Sequence, residues 1–308
     1  MLISIIVPTY NEAENILPFY KAISKAIKNI PHKFELLFVD DGSKDATFKK
    51  LTELSEKHKR VRPLELARNF GKEIALTAGL HEAKGDAAIM IDADLQHPPE
   101  LISQFIKKWE DGADMVIGVR KEYKTSWLKK KTSALFYKVL NTISDTKLVP
   151  HSTDFRLVDR SVINAFNTFT ERNRITRGLF DWLGFRRKYI YFSARERKFG
   201  TASYSYRKLF KLGVDSIVGH SLFPLRIAGY IGIAIVTASF PLGIFVFIDR
   251  YIISSPFGFN FSGSSILAVI NLFLSGVMLT CLGFISTYLA HVHEEVTNRP
   301  LYVLRNKK

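Results

Sequence analysis

Short apolar runs alternate with longer stretches that carry one apolar face through the first 120 residues of the chain. Residues 2–7, 34–39, 87–91 and 115–119 are rich in Ile and Val and bounded by polar or turn-forming positions, the signature of buried strands. Between the first two, Ile16, Tyr20, Ile23 and Ile27 recur at helical spacing. This alternation predicts an α/β fold, a mainly parallel sheet with flanking helices, in which a ligand sits at the carboxyl ends of the strands. The opening run is short and ended by Pro8, so it reads as a strand and not as a signal peptide.

The pattern changes in the second half. Residues 227–248 carry no charge, and at about 1.5 Å rise each such a run spans roughly the hydrocarbon core of a bilayer. Residues 266–290 form a second uncharged run, with Ser275, Gly276, Thr280 and Gly283 as small residues that let helices approach closely. The two predict a transmembrane hairpin, and the small residues leave room for a homo-oligomer. Arg207, Lys208, Lys211 and Arg226 precede the pair, and Arg299, Arg305, Lys307 and Lys308 follow it. Both flanks are therefore expected on the cytoplasmic side of a multi-pass protein of the cell (inner) membrane. Two amphipathic stretches lie upstream. In residues 127–143, Leu128, Leu135, Phe136, Val139, Leu140 and Ile143 are interleaved with lysines, which suits either the headgroup level or packing on the sheet. Residues 204–223 lead into the first span. The expected organisation is 1–120 and 121–204 as two halves of one domain, a juxtamembrane helix at 205–226, the membrane helices in 227–290, and a basic tail at 291–308.

Charge sharpens this picture. The 44 Lys and Arg outnumber 29 Asp and Glu, a net charge of +15, but the excess is uneven. Residues 1–120 hold 17 basic and 18 acidic side chains, residues 121–226 hold 22 and 8, and residues 227–308 hold 5 and 3. A neutral first third, a basic middle and an apolar end suit an anionic partner close to a membrane. The lone Cys281 cannot form an internal disulfide.

Polar residues collect at the predicted strand ends: Pro8-Thr9-Tyr10-Asn11-Glu12, then Asp40-Asp41-Gly42-Ser43, then Asp92-Ala93-Asp94-Leu95-Gln96. Neither a Gly-x-Gly-x-x-Gly nor a Walker-type loop is present, so ordinary dinucleotide or ATP cradling is not supported. Asp92 and Asp94, two apart at a strand end, can turn both carboxylates onto one hard cation, Mg²⁺ or Mn²⁺, leaving positions for diphosphate oxygens. A pair of solvated loop carboxylates is the alternative. Asp41 fits a ligand contact or simple turn chemistry equally well. His97, before Pro98-Pro99, is expected to shape a helix start.

Taken together these residues resemble the GT-A inverting glycosyltransferases of family 2, which include dolichyl-phosphate mannose synthase and the bactoprenol glucosyltransferases. Ile6-Val7-Pro8-Thr9-Tyr10-Asn11-Glu12, Val39-Asp40-Asp41-Gly42-Ser43, Gly85-Asp86, the Asp92 to Glu100 segment and Gly118-Val119-Arg120 occur in the family's order and near its spacing. Arg68-Asn69-Phe70-Gly71-Lys72-Glu73, Asp154-Phe155-Arg156 and the helix pair resemble the polyprenyl-phosphate glucosyltransferases in particular. After Arg195-Glu196-Arg197-Lys198-Phe199-Gly200 the chain departs from that subgroup, with Ala202-Ser203 where Ser-Lys is usual.

The resemblance implies a nucleotide-sugar donor held by Pro8, Tyr10, Glu12, Asp41, Lys72, Asp92 and Arg120, and a metal and diphosphate surrounded by Asp92, Asp94 and Gln96. It implies an acceptor side with Asp154, often described as the base, and with Arg156, Arg195, Arg197 and Ser203 at the acceptor phosphate; Asp154, Asp94 and Arg197 are the expected catalytic residues. The implied reaction moves a hexose, best read as glucose from UDP-glucose, onto polyprenyl phosphate (undecaprenyl or dolichyl) with inversion. GDP-mannose as donor and a catalytically degenerate chain are the alternatives. A membrane-tethered nucleic-acid binder would account for the basic middle but not for the Asp-x-Asp at a strand end, so no nucleic acid is expected as partner.

Overall fold

A computed structural model of the chain describes residues 1–121, 151–172, 174–193 and 263–305, with five single positions between 230 and 244. The chain divides into two units. The first comprises Met1–Asn141, Thr146–Ser203 and Arg299–Lys308, the second Thr142–Asp145 and Tyr204–Asn298.

The four strands expected from the apolar runs form: β1 (Leu2–Thr9), β2 (Lys33–Asp40), β4 (Ala87–Met90) and β5 (Met115–Arg120). Three more join them, β3 (Val61–Glu65), β6 (Ser152–Asp159) and β7 (Arg187–Phe192). The sheet order is β3-β2-β1-β4-β6-β5-β7, and β6 alone runs antiparallel to its neighbours. The predicted mainly parallel sheet is thus present, and β6 and β7, beyond residue 120, belong to it.

Alternation along the strands builds two cores. Ile3, Ile5 and Val7 of β1 with Leu36 and Phe38 of β2 face α1 (Ile16–Ile27), α2 (Thr47–Lys57) and α4 (Ile102–Glu110). Ile6, Leu37, Val39 and Met90 face α3 (Lys72–Glu82), α5 (Arg160–Asn167) and α6 (Thr176–Trp182). Helix α3 lies close on the sheet because Gly79 has no Cβ; one built there would stand 2.3 Å from Ile6 Cγ2. The chain runs outward from β1 to β2 and β3, then returns through α3 to β4 on the other side of β1. The crevice at the carboxyl ends of β1 and β4 is therefore the topological switch point, where such sheets bind ligands.

The end of the chain was expected as a tail. Instead, Leu304 makes an antiparallel bridge with Leu66 just beyond β3, and Tyr302 and Leu304 pack on the α3 side of the core. In the second unit, α7 (Gly263–Val296) contains the whole of the second predicted span. It exposes Leu267, Ile270, Met278, Leu282, Ile285 and Leu289. Among the described residues no helix is long and apolar enough to cross a membrane, and several α7 side chains lie outside that description. The first span at 227–248, apart from single helical positions, and the amphipathic stretches at 127–143 and 204–223 lie outside the described residues.

Candidate active site

At the carboxyl ends of β1, β2 and β4 lies a cavity of about 250 Å³. Seven of the residues expected to hold the donor and metal line it together: Pro8, Tyr10, Glu12, Asp41, Lys72, Asp92 and Asp94. Local hydrogen bonds fix its rim. Asn11, at φ 53°, donates its backbone N–H to Ser43 Oγ (2.9 Å), its Oδ1 accepts from the Lys44 N–H (2.9 Å), and the Glu12 N–H donates to Thr47 Oγ1 (2.9 Å). Asp45 Oδ1 accepts from the Thr47 N–H (3.0 Å) at the start of α2, whose N-cap residue Ala46 makes no side-chain cap hydrogen bond.

Asp41 is 3% exposed and has a definite structural task. Its two carboxylate oxygens accept the backbone N–H groups of Phe70 (2.7 Å) and Gly71 (2.9 Å), so it shapes the loop that brings Asn69, Gly71 and Lys72 to the cavity. Burial pushes the Asp41 pKa up, and those two hydrogen bonds only partly offset it.

Lys72 opens α3 and joins two carboxylates. Its Nζ stands 2.6 Å from Asp92 Oδ1 and 2.8 Å from Asp154 Oδ2. Asp154, at the start of β6, is gripped from the other side by Arg177 of α6, whose Nε lies 2.5 Å from Oδ1 and Nη2 3.1 Å from Oδ2. Glu73 Oε2 accepts from the Thr176 N–H (2.9 Å), so the first turns of α3 and α6 are tied twice. Burial by itself would raise the Asp154 pKa; Lys72 and Arg177 outweigh it and hold the carboxyl well below the usual carboxylate range. The same contacts, chiefly Asp92 and Asp154, carry Lys72 above its ordinary value against the effect of burial. Nothing in the sequence pattern singled out Arg177, because its role depends on α6 meeting β6 in space.

Asp94 is 6% exposed, and its Oδ1 accepts the Gln96 N–H (3.1 Å) across a turn in which Leu95 sits at φ 59°. Gln96 Oε1 accepts from Arg120 Nη2 at 3.4 Å, so these two expected site residues meet each other. His97 is buried, stacks on Phe155 at 5.3 Å between centroids, and keeps Nδ1 3.8 Å from Asp92 Oδ2, outside hydrogen-bond range. Burial lowers its pKa, which suits a neutral packing residue just ahead of the single-turn helix Pro99–Leu101. Among the described residues no group of three or more His, Cys, Asp or Glu side chains forms a metal cluster. The two carboxylates Asp92 and Asp94 facing one cavity still fit a Mg²⁺ or Mn²⁺ ion, because such ions take one or two carboxylates and complete their shell with water and substrate phosphates.

One expected contact is corrected. Arg156 is only 1% exposed, with Nη2 donating to the Thr153 carbonyl (3.1 Å) and its guanidinium over the Phe180 ring, so it packs in the core and does not reach an acceptor phosphate. Alternation along β6 explains this: Arg156 follows Asp154 on the same face, one residue pair deeper under α6. Arg195, Arg197 and Ser203 lie outside the described residues.

Glycosyl transferase family 2 matches this chain over residues 4–166. An uncharacterized glycosyltransferase of Synechocystis, sll0501, is 39% identical over 303 residues, covering 98% of this chain and 94% of its own. The bactoprenol glucosyl transferase of Shigella phage SfV is 39% identical over 309 residues, covering 100% and 99%. Among solved structures, the Pyrobaculum calidifontis mannosyltransferase PcManGT, in complex with GDP-Man and Mn²⁺, superposes with TM-score 0.52 at 18% identity, over 70% of this chain and 63% of that one. The Mycobacterium tuberculosis glucosyl-3-phosphoglycerate synthase, with Mn²⁺, UDP and phosphoglyceric acid, gives TM-score 0.50 at 18% identity, over 70% and 76%. Those two likenesses establish the GT-A fold. With the family matched over more than half of its length and full-length relatives near 39% identity, this chain belongs to glycosyl transferase family 2 and is a glycosyltransferase.

Proposed function

We propose that the protein transfers a hexose, glucose from UDP-glucose, to polyprenyl phosphate at the cytoplasmic face of the cell membrane. The observation that carries this reading is the cavity at the switch point, lined by Asp92, Asp94 and Lys72 and closed by the Asp41-held loop. The full-length similarity to a bactoprenol glucosyl transferase supports the lipid acceptor and the sugar.

Pro8, Tyr10, Glu12 and Asp41 form the base and ribose end of the donor pocket. Asp92 and Asp94 would hold a Mg²⁺ or Mn²⁺ ion, which when bound would neutralise charge on the departing diphosphate. Lys72 adds a fixed positive charge beside them. The polyprenyl phosphate oxygen attacks the anomeric carbon as the bond to the nucleoside diphosphate breaks, so the configuration inverts. A phosphate monoester has a second pKa near 6 and is largely a dianion at neutral pH. The acceptor therefore needs no general base, and Asp154, paired with two cations, is suited to placing Lys72 and Arg177 and not to taking a proton. Preorganised positive charge where two anions meet is the main contribution of the chain.

Chain connectivity supports the membrane hairpin. The chain leaves the sheet unit after Ser203 and rejoins it at Arg299. An excursion that begins and ends in one compact unit crosses a bilayer an even number of times. Two uncharged runs, the exposed apolar residues of α7 and basic flanks on both sides fit two crossings.

The test is transfer of labelled sugar into lipid by purified protein given undecaprenyl or dolichyl phosphate. The donors are UDP-glucose, UDP-N-acetylglucosamine, UDP-galactose and GDP-mannose, each with Mg²⁺, Mn²⁺ or EDTA. EDTA-sensitive label from UDP-glucose is the expected result. Label only from GDP-mannose changes the donor, and no lipid product from folded protein rejects the reaction.

A further inference from the structure

The loop from Leu66 to Lys72 is held on its inner side by the Asp41 carboxylate and by close packing on Gly42, where a Cβ would stand 2.4 Å from the Arg68 carbonyl carbon. Its outer side follows β3, the edge strand of the sheet, whose free backbone groups need a partner. The chain's last described residues supply one. The Arg305 N–H donates to the Glu65 carbonyl (2.8 Å) and the Ala67 N–H donates to the Val303 carbonyl (2.8 Å), on either side of the Leu66–Leu304 bridge. The Arg305 guanidinium pairs with Glu65 Oε1 at 2.5 Å and donates to the Ala67 carbonyl at 3.2 Å. Tyr302 Oη and His81 Nδ1 lie 3.2 Å apart and anchor the segment on α3.

We propose that residues 302–305 are a strap that positions the cavity loop, making Arg305 a positioning residue for donor binding. The strap grips residues 65–67 on one side, and Asn69, Gly71 and Lys72 enter the cavity two to five residues later. Without it, the loop would keep its inner anchors, the Leu66 N–H to the Asp40 carbonyl (2.9 Å), the Asp41 carboxylate and the packing of Leu66 and Phe70, but would lose its outer support, loosening the approach of Lys72 to Asp92 and Asp154. This inference rests on the cavity being the donor site.

The experiment compares full-length wild type with Arg305→Ala, Arg305→Lys and the charge swap Glu65→Arg with Arg305→Glu. Hydrogen exchange at Ala67, Phe70 and Gly71 is read alongside UDP affinity and the KM values for UDP-glucose and undecaprenyl phosphate. Exchange reports on the loop whatever the protein binds. Arg305→Ala is expected to speed exchange at these amides and to raise the UDP dissociation constant and donor KM about three- to fivefold, the modest effect of losing an ion pair whose arginine is 57% exposed. Acceptor KM stays unchanged, and the lysine and swapped variants recover most of the loss. Wild-type protection of the loop in Arg305→Ala overturns the strap. Faster exchange with unchanged UDP affinity overturns its link to the donor pocket, whereas wild-type protein that binds no UDP at all refutes the donor-site reading itself. A variant that loses protection across the whole sheet would make Arg305 a general stability residue and equally overturn the proposal.

Discussion

Lys72 Nζ and Asp154 Oδ2, 82 positions apart in sequence, form an ion pair of 2.8 Å at the edge of the cavity beside β1 and β4. The pair matters because each partner has a second opposite charge. Asp92 lies beyond Lys72 and Arg177 beyond Asp154, giving a row of alternating charges along the base of the site.

Removing the ammonium tests that row. Lys72→Met leaves Asp92 and Asp154 facing each other and should lower stability by about 1–2 kcal/mol, a modest value because the Lys72 side chain is 43% exposed. Activity should fall much further, roughly a hundredfold in kcat/KM. Chemical denaturation and steady-state kinetics on the same preparation separate the two effects. Equal activity in the variant would remove Lys72 from the site.

Asp154→Asn discriminates a base from a positioning group. With its carboxyl held well below the usual range by Lys72 and Arg177, Asp154 has no titration near neutrality to contribute. The variant should lose roughly 100-fold in kcat while keeping the shape of the wild-type pH profile, in which the proposed phosphate acceptor is expected to give an acidic limb near pH 6. Loss of an acidic limb in the variant alone would assign Asp154 the base role.

The same pair predicts a pH window for stability. A carboxyl whose pKa is lowered by folding contributes above its unfolded value, about 3.9, and the contribution is lost as pH falls through the folded value. Lys72, raised by folding, contributes below its unfolded value of about 10.4 and loses that as pH rises through its higher folded value. The stability deficit of Asp154→Asn should therefore be constant from about pH 5 to 9 and shrink below about pH 4. Urea denaturation across that range gives the curve, and a deficit that grows on acidification contradicts the pairing.

Asp94→Asn should reduce transfer by roughly a thousandfold and weaken Mn²⁺ binding in the presence of UDP, with the fold retained. Isothermal titration with Mn²⁺ and UDP gives the binding result independently of turnover. Normal metal affinity would remove Asp94 from the ion's ligands.

Gly42→Ala probes the loop from the inside. At φ 66°, with a Cβ 2.4 Å from the Arg68 carbonyl carbon, alanine forces backbone to move and should cost about 1–3 kcal/mol. The donor KM should rise with it, because Asn69 and Gly71 line the cavity. A variant with wild-type melting temperature and KM would show that the loop can shift freely.

Much of this was legible in the residue pattern. Apolar runs of Ile and Val marked β1, β2, β4 and β5, since a strand buried on both faces is apolar at most of its positions. The polar residues that follow β1, β2 and β4 had to collect at one edge once those strands were parallel, so six cavity residues, Pro8, Tyr10, Glu12, Asp41, Asp92 and Asp94, followed from local sequence, whereas Lys72 at the start of α3 was expected from the family resemblance alone. Strand β3, with Arg62, Pro63 and Glu65 in five residues, carried no such signal, because it lies beside β2 near the edge of the sheet and needs less apolar surface.

Tertiary structure decided the rest. Arg156 and Asp154 are two residues apart on one face of β6, yet one is sealed under Phe180 and the other is paired to Lys72 at the cavity, a difference set by where α6 crosses the strand. Arg177 reaches Asp154, and Arg305 closes on Glu65 after 239 intervening residues, through contacts that no spacing announces. Periodicity records which face of an element is buried; which distant element covers that face, and which charges it brings, is fixed only when the elements pack.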